Sequence, residues 1–206
     1  MPILVVNNYH KPEYRERAFK IAAAMKELGR RCEIFSYSAI DEVMERIQRG
    51  GIEAVVLSGS SAHINDPGDF VLYKEEIQCI PQMSVPLLGI CFGHQLIAKA
   101  FGSEIGKLDK YAKGFKTVEV LESNDLFSTW RKAEKIVLCK SHRDFVMKIP
   151  NGFTLLAQSE DCEIEAFKNS AHCIFRVQAH VERYSDKYPD GLSVLGNFIR
   201  SVIDTT

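Results

Sequence analysis

The sequence predicts an α/β protein: a mostly parallel central sheet with helices on both faces, followed by an antiparallel, β-rich second half. Three observations predict it. Through the first half, short apolar runs alternate with stretches of helical periodicity, as parallel strands joined by crossover helices require. Beyond Gly102 the pattern changes to short alternating or apolar runs with few helical stretches between them, as hairpins produce. No repeat, low-complexity linker or sharp shift in composition divides the 206 residues, so a single domain over 1–206 is expected.

The elements follow in order. Ile3 to Val6 (ILVV) is the first apolar run. From Pro12 to Leu28 the spacing predicts a helix with Phe19, Ala22, Met25 and Leu28 on one face, Pro12 suiting the first turn and Gly29 the stop. CEIFSY, from Cys32, reads as a second strand, and Asp41 to Arg49 as a helix ended by Gly50 and Gly51. Ala54 to Gly59 (AVVLSG) is a third strand. The turn signal Asn65-Asp66-Pro67-Gly68 then leads to a helix over Asp69 to Cys79. PLLGI, from Pro86, is the fourth strand, and the helix after it runs to Phe101 before the stop at Gly102. FKTVEVL, KIVLCKS, FTLLAQS, EIEAFKN and CIFRVQAH are the strand candidates of the second half. An amphipathic helix near Leu192 to Ile203 closes the chain.

Bulk properties exclude several function classes. A net charge of −1 with acids and bases interspersed offers no electrostatic footprint for nucleic acid. No apolar stretch approaches the length of a membrane span. MPILVV is followed at once by NNYHKPEYRER, which lacks the layout of a signal peptide. The six cysteines form no C-x-x-C pair and sit mostly among apolar neighbours, as reduced thiols of a cytoplasmic protein would. The six histidines form neither H-x-x-x-H nor H-x-x-E-H, so no metal site is expected.

The stretch that carries chemistry is PLLGICFGHQL. Gly89-Ile90-Cys91-Phe92-Gly93 has the spacing of a nucleophile elbow, with sulfur in place of oxygen. The need is steric: a sharp strand-to-helix turn exposes the nucleophile, and side chains two residues to either side would collide with neighbouring backbone. The turn also sets Cys91 at a helix N-terminus, where free N–H groups favour an anion. The N–H of Phe92 would then point toward an oxyanion. A small buried cysteine between two packing glycines is the plainer alternative, and the elbow alone does not decide between them. RVQAHVERY supplies a base. His180 and Glu182 are two apart at the end of a predicted strand, on one face, so Glu182 can hold one imidazole nitrogen while the other reaches the thiol.

GICFGHQ followed far downstream by VQAHVE resembles the class I, triad-type glutamine amidotransferase domain, whose patterns run close to G-x-C-x-G-x-Q and Q-F-H-P-E. The similarity spans nearly the whole chain and implies a flavodoxin-like sheet. By that resemblance Cys91 is the nucleophile, His180 the base and Glu182 its orienting partner, and Gln95 contacts bound glutamine. VLSGS resembles the family's turn after the third strand, which implies that backbone N–H groups of Gly59 and Ser60 join Phe92 in the oxyanion hole. KSHRDFVMKIPNGFTLLAQSEDCEIEAF is similar to the S-H-G-D-x-V region in the glutaminase part of GMP synthases, which places Ser141 and His142 at the border of the glutamine pocket.

The resemblance implies hydrolysis of glutamine to glutamate and ammonia for a separate synthetase subunit that makes GMP from XMP. The chain has neither the S-G-G-x-D-S loop nor a P-loop, so no cofactor is expected in it, and Mg-ATP would be used by the partner. Four positions depart from the family pattern: Arg143, Arg176, Ala179 and Val181. The competing readings are a stand-alone γ-glutamyl peptidase, an amidotransferase for another acceptor, a non-catalytic module that keeps the fold, and a thiol hydrolase or redox protein of the small α/β cysteine type.

Overall fold

The apolar runs of the first half become short strands buried along their whole length, because helices cover both faces of the sheet they form. The structure is a computed structural model and describes residues 1–204, the side chains of Ser170, Ser201 and Val202 excepted. Among the described residues the strands are β1 (Ile3–Asn7), β2 (Cys32–Ser36), β3 (Ala54–Leu57), β4 (Leu87–Ile90), β5 (Ile105–Val120), β6 (Lys135–Val146), β7 (Thr154–Ser159), β8 (Cys162–Asn169) and β9 (Ile174–Val177). They form one sheet in the order β2-β1-β3-β4-β9-β8-β7-β5-β6. The first five in that order run parallel, and the remaining four are added antiparallel.

One strand differs from expectation. CIFRVQAH reads as one of the antiparallel strands, yet β9 lies parallel to β4 on one side and antiparallel to β8 on the other. A fully buried run is apolar on both faces whichever way its neighbours point, so its pattern carries no direction. This insertion brings the end of β9 beside the end of β4.

The helices are α1 (Phe19–Glu27), α2 (Ile40–Arg49), α3 (Pro67–Cys79), α4 (Phe92–Ala100) and α5 (Asp190–Phe198). Period-two alternation in β1 divides the core: Ile3 and Val5 pack toward α1 and α5, while Leu4 and Val6 pack toward α2, α3 and α4. Asp66 caps α3, its carboxylate accepting from the N–H groups of Gly68 and Asp69, so the helix starts at Pro67. α5 ends at Phe198, and a wider π turn over Ile199–Ile203 follows it.

The expected helix from Pro12 to Leu28 is instead a tight 3-10 stretch over Pro12–Ala18 that passes into α1. Its buried face is Ala18, Ile21, Ala24 and Met25, and Phe19 is 53% exposed. A strict three-residue step drifts around an α-helix, so only part of the predicted stripe faces the core. β5 begins ten residues before the FKTVEVL run. Its early half carries Lys107, Asp109, Lys110 and Lys113, and its backbone ladder to β6, interrupted between Lys107 and Ala112, holds it in place of an apolar face. Among the described residues no helix is long and apolar enough to cross a membrane.

Candidate functional site

β4 runs straight into α4 with a single residue between them. That residue, Cys91, has φ 52° and ψ −102°, outside the regions an L-residue ordinarily occupies. Gly89 and Gly93 make the turn possible. A β-carbon on Gly93 would stand 2.4 Å from the carbonyl oxygen of Leu57, and one on Gly89 would stand 2.7 Å from the backbone of Gly93. The steric reading of the elbow glycines thus holds. The turn is pinned by Cys91 N–H donating to Val177 O at 2.9 Å and Gly93 N–H donating to Ser58 O at 3.1 Å. Phe92 is the first residue of α4, so its N–H has no partner within the helix.

His180 and Glu182 arrive from the neighbouring strand. β9 stops at Val177, however, so strand periodicity is not what aligns them. The segment turns, with Arg183 N–H donating to His180 O at 3.1 Å, and is tied to β6 by His180 N–H donating to Cys139 O at 2.8 Å. The result is a bond of 2.7 Å between Nδ1 of His180 and a carboxylate oxygen of Glu182, with both side chains buried. Burial opposes charge on the imidazole. The Glu182 carboxylate and the Cys91 sulfur, each by charge and hydrogen bond, outweigh burial and raise the His180 pKa to about 9. Burial likewise opposes charge on Glu182, but His180 and then Arg183 hold its carboxyl below the ordinary range.

Cys91, His180, Phe92, Ser60, Gln95, Ser141 and His142 all line one cavity of about 250 Å³. Gly59 lies against it: an added β-carbon would stand 2.7 Å from the His180 ring and 3.0 Å from the Tyr9 hydroxyl. Ser60 keeps a negative φ, and its hydroxyl donates to Asn8 O at 2.6 Å. Ser141 shares a hydrogen bond of 3.0 Å with Tyr111. Burial, and next the charge of Lys140, lower the His142 pKa to about 4, so its ring is neutral at pH 7. His94 is fully buried edge-on against Phe167 and does not line the cavity.

Sequence reasoning gave no role to several residues found here. Gln178 donates its amide to Cys91 Sγ at 3.7 Å; it is the glutamine of VQAHVE, so the motif itself was the available signal. Asp144 pairs with His63 at 2.8 Å across the cavity. Tyr9, Tyr14, Arg17 and Arg183 also line the cavity, and nothing in their spacing marks them. The departures also find places. Arg143 donates to the carbonyls of Leu108 and Asp109, bracing the irregular part of β5 over the cavity. Arg176 is buried between the rings of Phe153 and Phe167, and Ala179 and Val181 are core residues.

An α/β sheet with a thiol elbow at the carboxyl end of a parallel strand, beside a buried histidine–carboxylate pair, defines a protein of the cysteine-elbow class. Within that class the profile of the class-I glutamine amidotransferases matches residues 14–201, and the chain belongs to this family. Among its relatives, the glutamine-hydrolysing GMP synthase subunit of Thermococcus kodakarensis is 35% identical over 158 residues, covering 74% of this chain and 81% of that protein. The corresponding subunit of Methanothermobacter thermautotrophicus is 29% identical, with 95% of each chain covered. A crystal structure of a candidate GMP synthase subunit from Thermoplasma acidophilum superposes with a TM-score of 0.80 at 26% identity, covering 97% of this chain and 92% of that one.

Proposed function

We propose that this chain is a glutaminase that hydrolyses glutamine to glutamate and ammonia, and that a synthetase subunit uses the ammonia to convert XMP to GMP with ATP. One observation carries the chemical half: the strained elbow presents Cys91 to an imidazole that Glu182 keeps charged. The relatives named as glutamine-hydrolysing GMP synthase subunits support the choice of partner and acceptor.

The chemistry is acyl transfer through the thiol. The Cys91 sulfur attacks the side-chain amide carbon of glutamine, forming a C–S bond while the carbonyl electrons move to oxygen. Backbone N–H groups of Phe92, Gly59 and Ser60 receive that oxyanion. As it collapses the C–N bond breaks, and His180, protonated at neutral pH, gives its proton to the departing nitrogen. The neutral imidazole then takes a proton from water as the water attacks the thioester. The C–S bond breaks with its electron pair returning to sulfur, glutamate leaves, and Cys91 and the protonated His180 are restored. Gln95, Ser141 and His142 hold the glutamine. No cofactor is assigned to this chain, and Mg-ATP belongs to the partner's half of the reaction. The six free thiols suit a reducing compartment, and we place the chain in the cytoplasm.

The test is glutamate release by the purified chain, alone and then with a GMP-forming synthetase subunit, XMP and Mg-ATP. Stimulation that requires both nucleotides together with the synthetase is expected. A second reading, a stand-alone γ-glutamyl hydrolase, is favoured by one feature: Tyr14 and Arg17 line the same cavity as Cys91 and His180, side chains able to meet a peptide leaving group larger than ammonia. Turnover indifferent to the synthetase, and faster on γ-glutamyl peptides than on glutamine, would replace the first reading with this one.

A further inference from the structure

The side chains of Gln95 and Gln178 form a chain of hydrogen bonds whose direction is fixed at one end. The carbonyl oxygen of Asp144 can only accept, so Gln95 must turn its amide nitrogen toward it, and the bond is 3.0 Å. The same nitrogen reaches Oε1 of Gln178 at 3.3 Å, using the second N–H. Gln178 is then left with its own amide nitrogen toward Cys91, 3.7 Å from the sulfur. Gln178 is fully buried and Gln95 nearly so, so water does not compete strongly for these groups. The backbone of Gln178 is fixed as well, its N–H donating to Glu165 O at 2.7 Å.

We infer that Gln178 is a catalytic hydrogen-bond donor to the Cys91 sulfur, and that Gln95 is the positioning residue that orients it. This rests on the glutaminase reading above and extends it. An N–H aimed at sulfur stabilises the thiolate more than the thiol, because the charged acceptor makes the stronger bond. It is a donor to the sulfur in addition to His180. The arrangement limits what Gln95 offers a ligand. With both N–H groups committed, only its carbonyl oxygen remains, so Gln95 selects a hydrogen-bond donor such as an ammonium or an amide NH₂. Asp144 anchors the chain by its carbonyl and pairs by its carboxylate with His63, another residue of the cavity lining.

The test is the pH profile of Cys91 alkylation by iodoacetamide, read by mass spectrometry of the Cys91 peptide, for the wild type and Gln178→Met. The charged and titratable groups around the thiol, namely His180, Glu182, Arg183, Tyr9 and Cys139, are the same in both proteins. Loss of a hydrogen bond to a charged sulfur moves the alkylation midpoint up by about 1 in pH and lowers kcat about tenfold, with KM within about twofold. An unchanged midpoint and undiminished kcat would overturn the proposal. Should Gln178→Met fail to fold, the side-chain amide resonance of Gln178 in the wild type decides. It must titrate with the alkylation midpoint, and a resonance flat across that range overturns the proposal. Failure of the glutaminase reading looks different: the wild type would release no glutamate from glutamine, while the alkylation profile, read on the resting thiol, would still differ between the wild type and Gln178→Met.

Discussion

Gly59 abuts the imidazole of His180, so closely that a β-carbon there would stand 2.7 Å from Cε1. The ring is thus fixed from two sides, by Glu182 at Nδ1 and by the bare backbone of the loop after β3. Gly59→Ala is expected to fold, since the added methyl meets a ring tip and a hydroxyl rather than backbone. The displaced imidazole should cost about a hundredfold in kcat, the usual order for a misplaced catalytic group. Glutaminase assays with a circular dichroism check on folding read this directly, and wild-type turnover would mean that the ring position is not limiting.

The backbone of Cys91 stores strain for the sake of exposing its sulfur. A left-handed, non-glycine conformation of this kind costs about 1–3 kcal/mol. Cys91→Ala keeps that strain, loses the nucleophile and should release no glutamate while melting near the wild type. Cys91→Gly is equally inactive but relieves the turn, partly offset by the greater freedom of glycine in the unfolded chain. It should be more stable than Cys91→Ala by about 1 kcal/mol in urea unfolding. Equal stability of the two variants would argue that the elbow is not strained.

The charge on His180 makes both activity and stability depend on pH. Its folded pKa, about 9, lies above the ordinary 6.5. The native state therefore binds the proton more tightly, and the stability gained is full below pH 6.5 and lost as pH rises through about 9. Activity that needs the imidazolium should fall on the same alkaline limb. Glu182→Gln removes the main source of the raised value. Its alkaline limb should move to lower pH, and its loss of stability between pH 6 and pH 9.5 should be smaller than the wild type's. Profiles of kcat and urea midpoints at the two pH values test this, and coincident limbs would separate Glu182 from the charge on His180.

Much of the fold and most of the candidate site were legible in the sequence. Gly89 and Gly93 flank Cys91 at a spacing with one steric purpose, and the contacts of their missing β-carbons match it. The His180–Glu182 pair was visible as a motif, although a turn rather than a strand brings the two side chains together. The direction of β9 was hidden because buried strands read alike in either orientation. The early half of β5 was hidden because an edge arm rich in lysine has no apolar period to reveal it. Gln178 lay in plain view beside His180, but its bond to sulfur spans elements that only the fold brings together.

Two buried cations, one on β6 and the other on β9, should respond to removal in opposite ways. The Lys140 side chain is fully enclosed and paired with Glu165, itself fully enclosed, and with Asp161; it also donates to Ser159 at 2.6 Å. Lys140→Met strands the Glu165 carboxylate, whose pKa burial already pushes upward, and should cost about 3–5 kcal/mol. Arg176 has no carboxylate within reach among the described residues. Its guanidinium lies 3.7 Å and 3.9 Å from the ring centres of Phe167 and Phe153, and its nitrogens have no hydrogen-bond partner there. Cation–π contact returns only about 2 kcal/mol even when desolvated, against a larger cost of burying the charge. Arg176→Met fills the same slot without that charge and should leave stability unchanged or raise it. Urea unfolding of the two variants beside the wild type measures both effects. A marked loss in Arg176→Met would show that the guanidinium has a compensating partner that the aromatic sandwich does not account for.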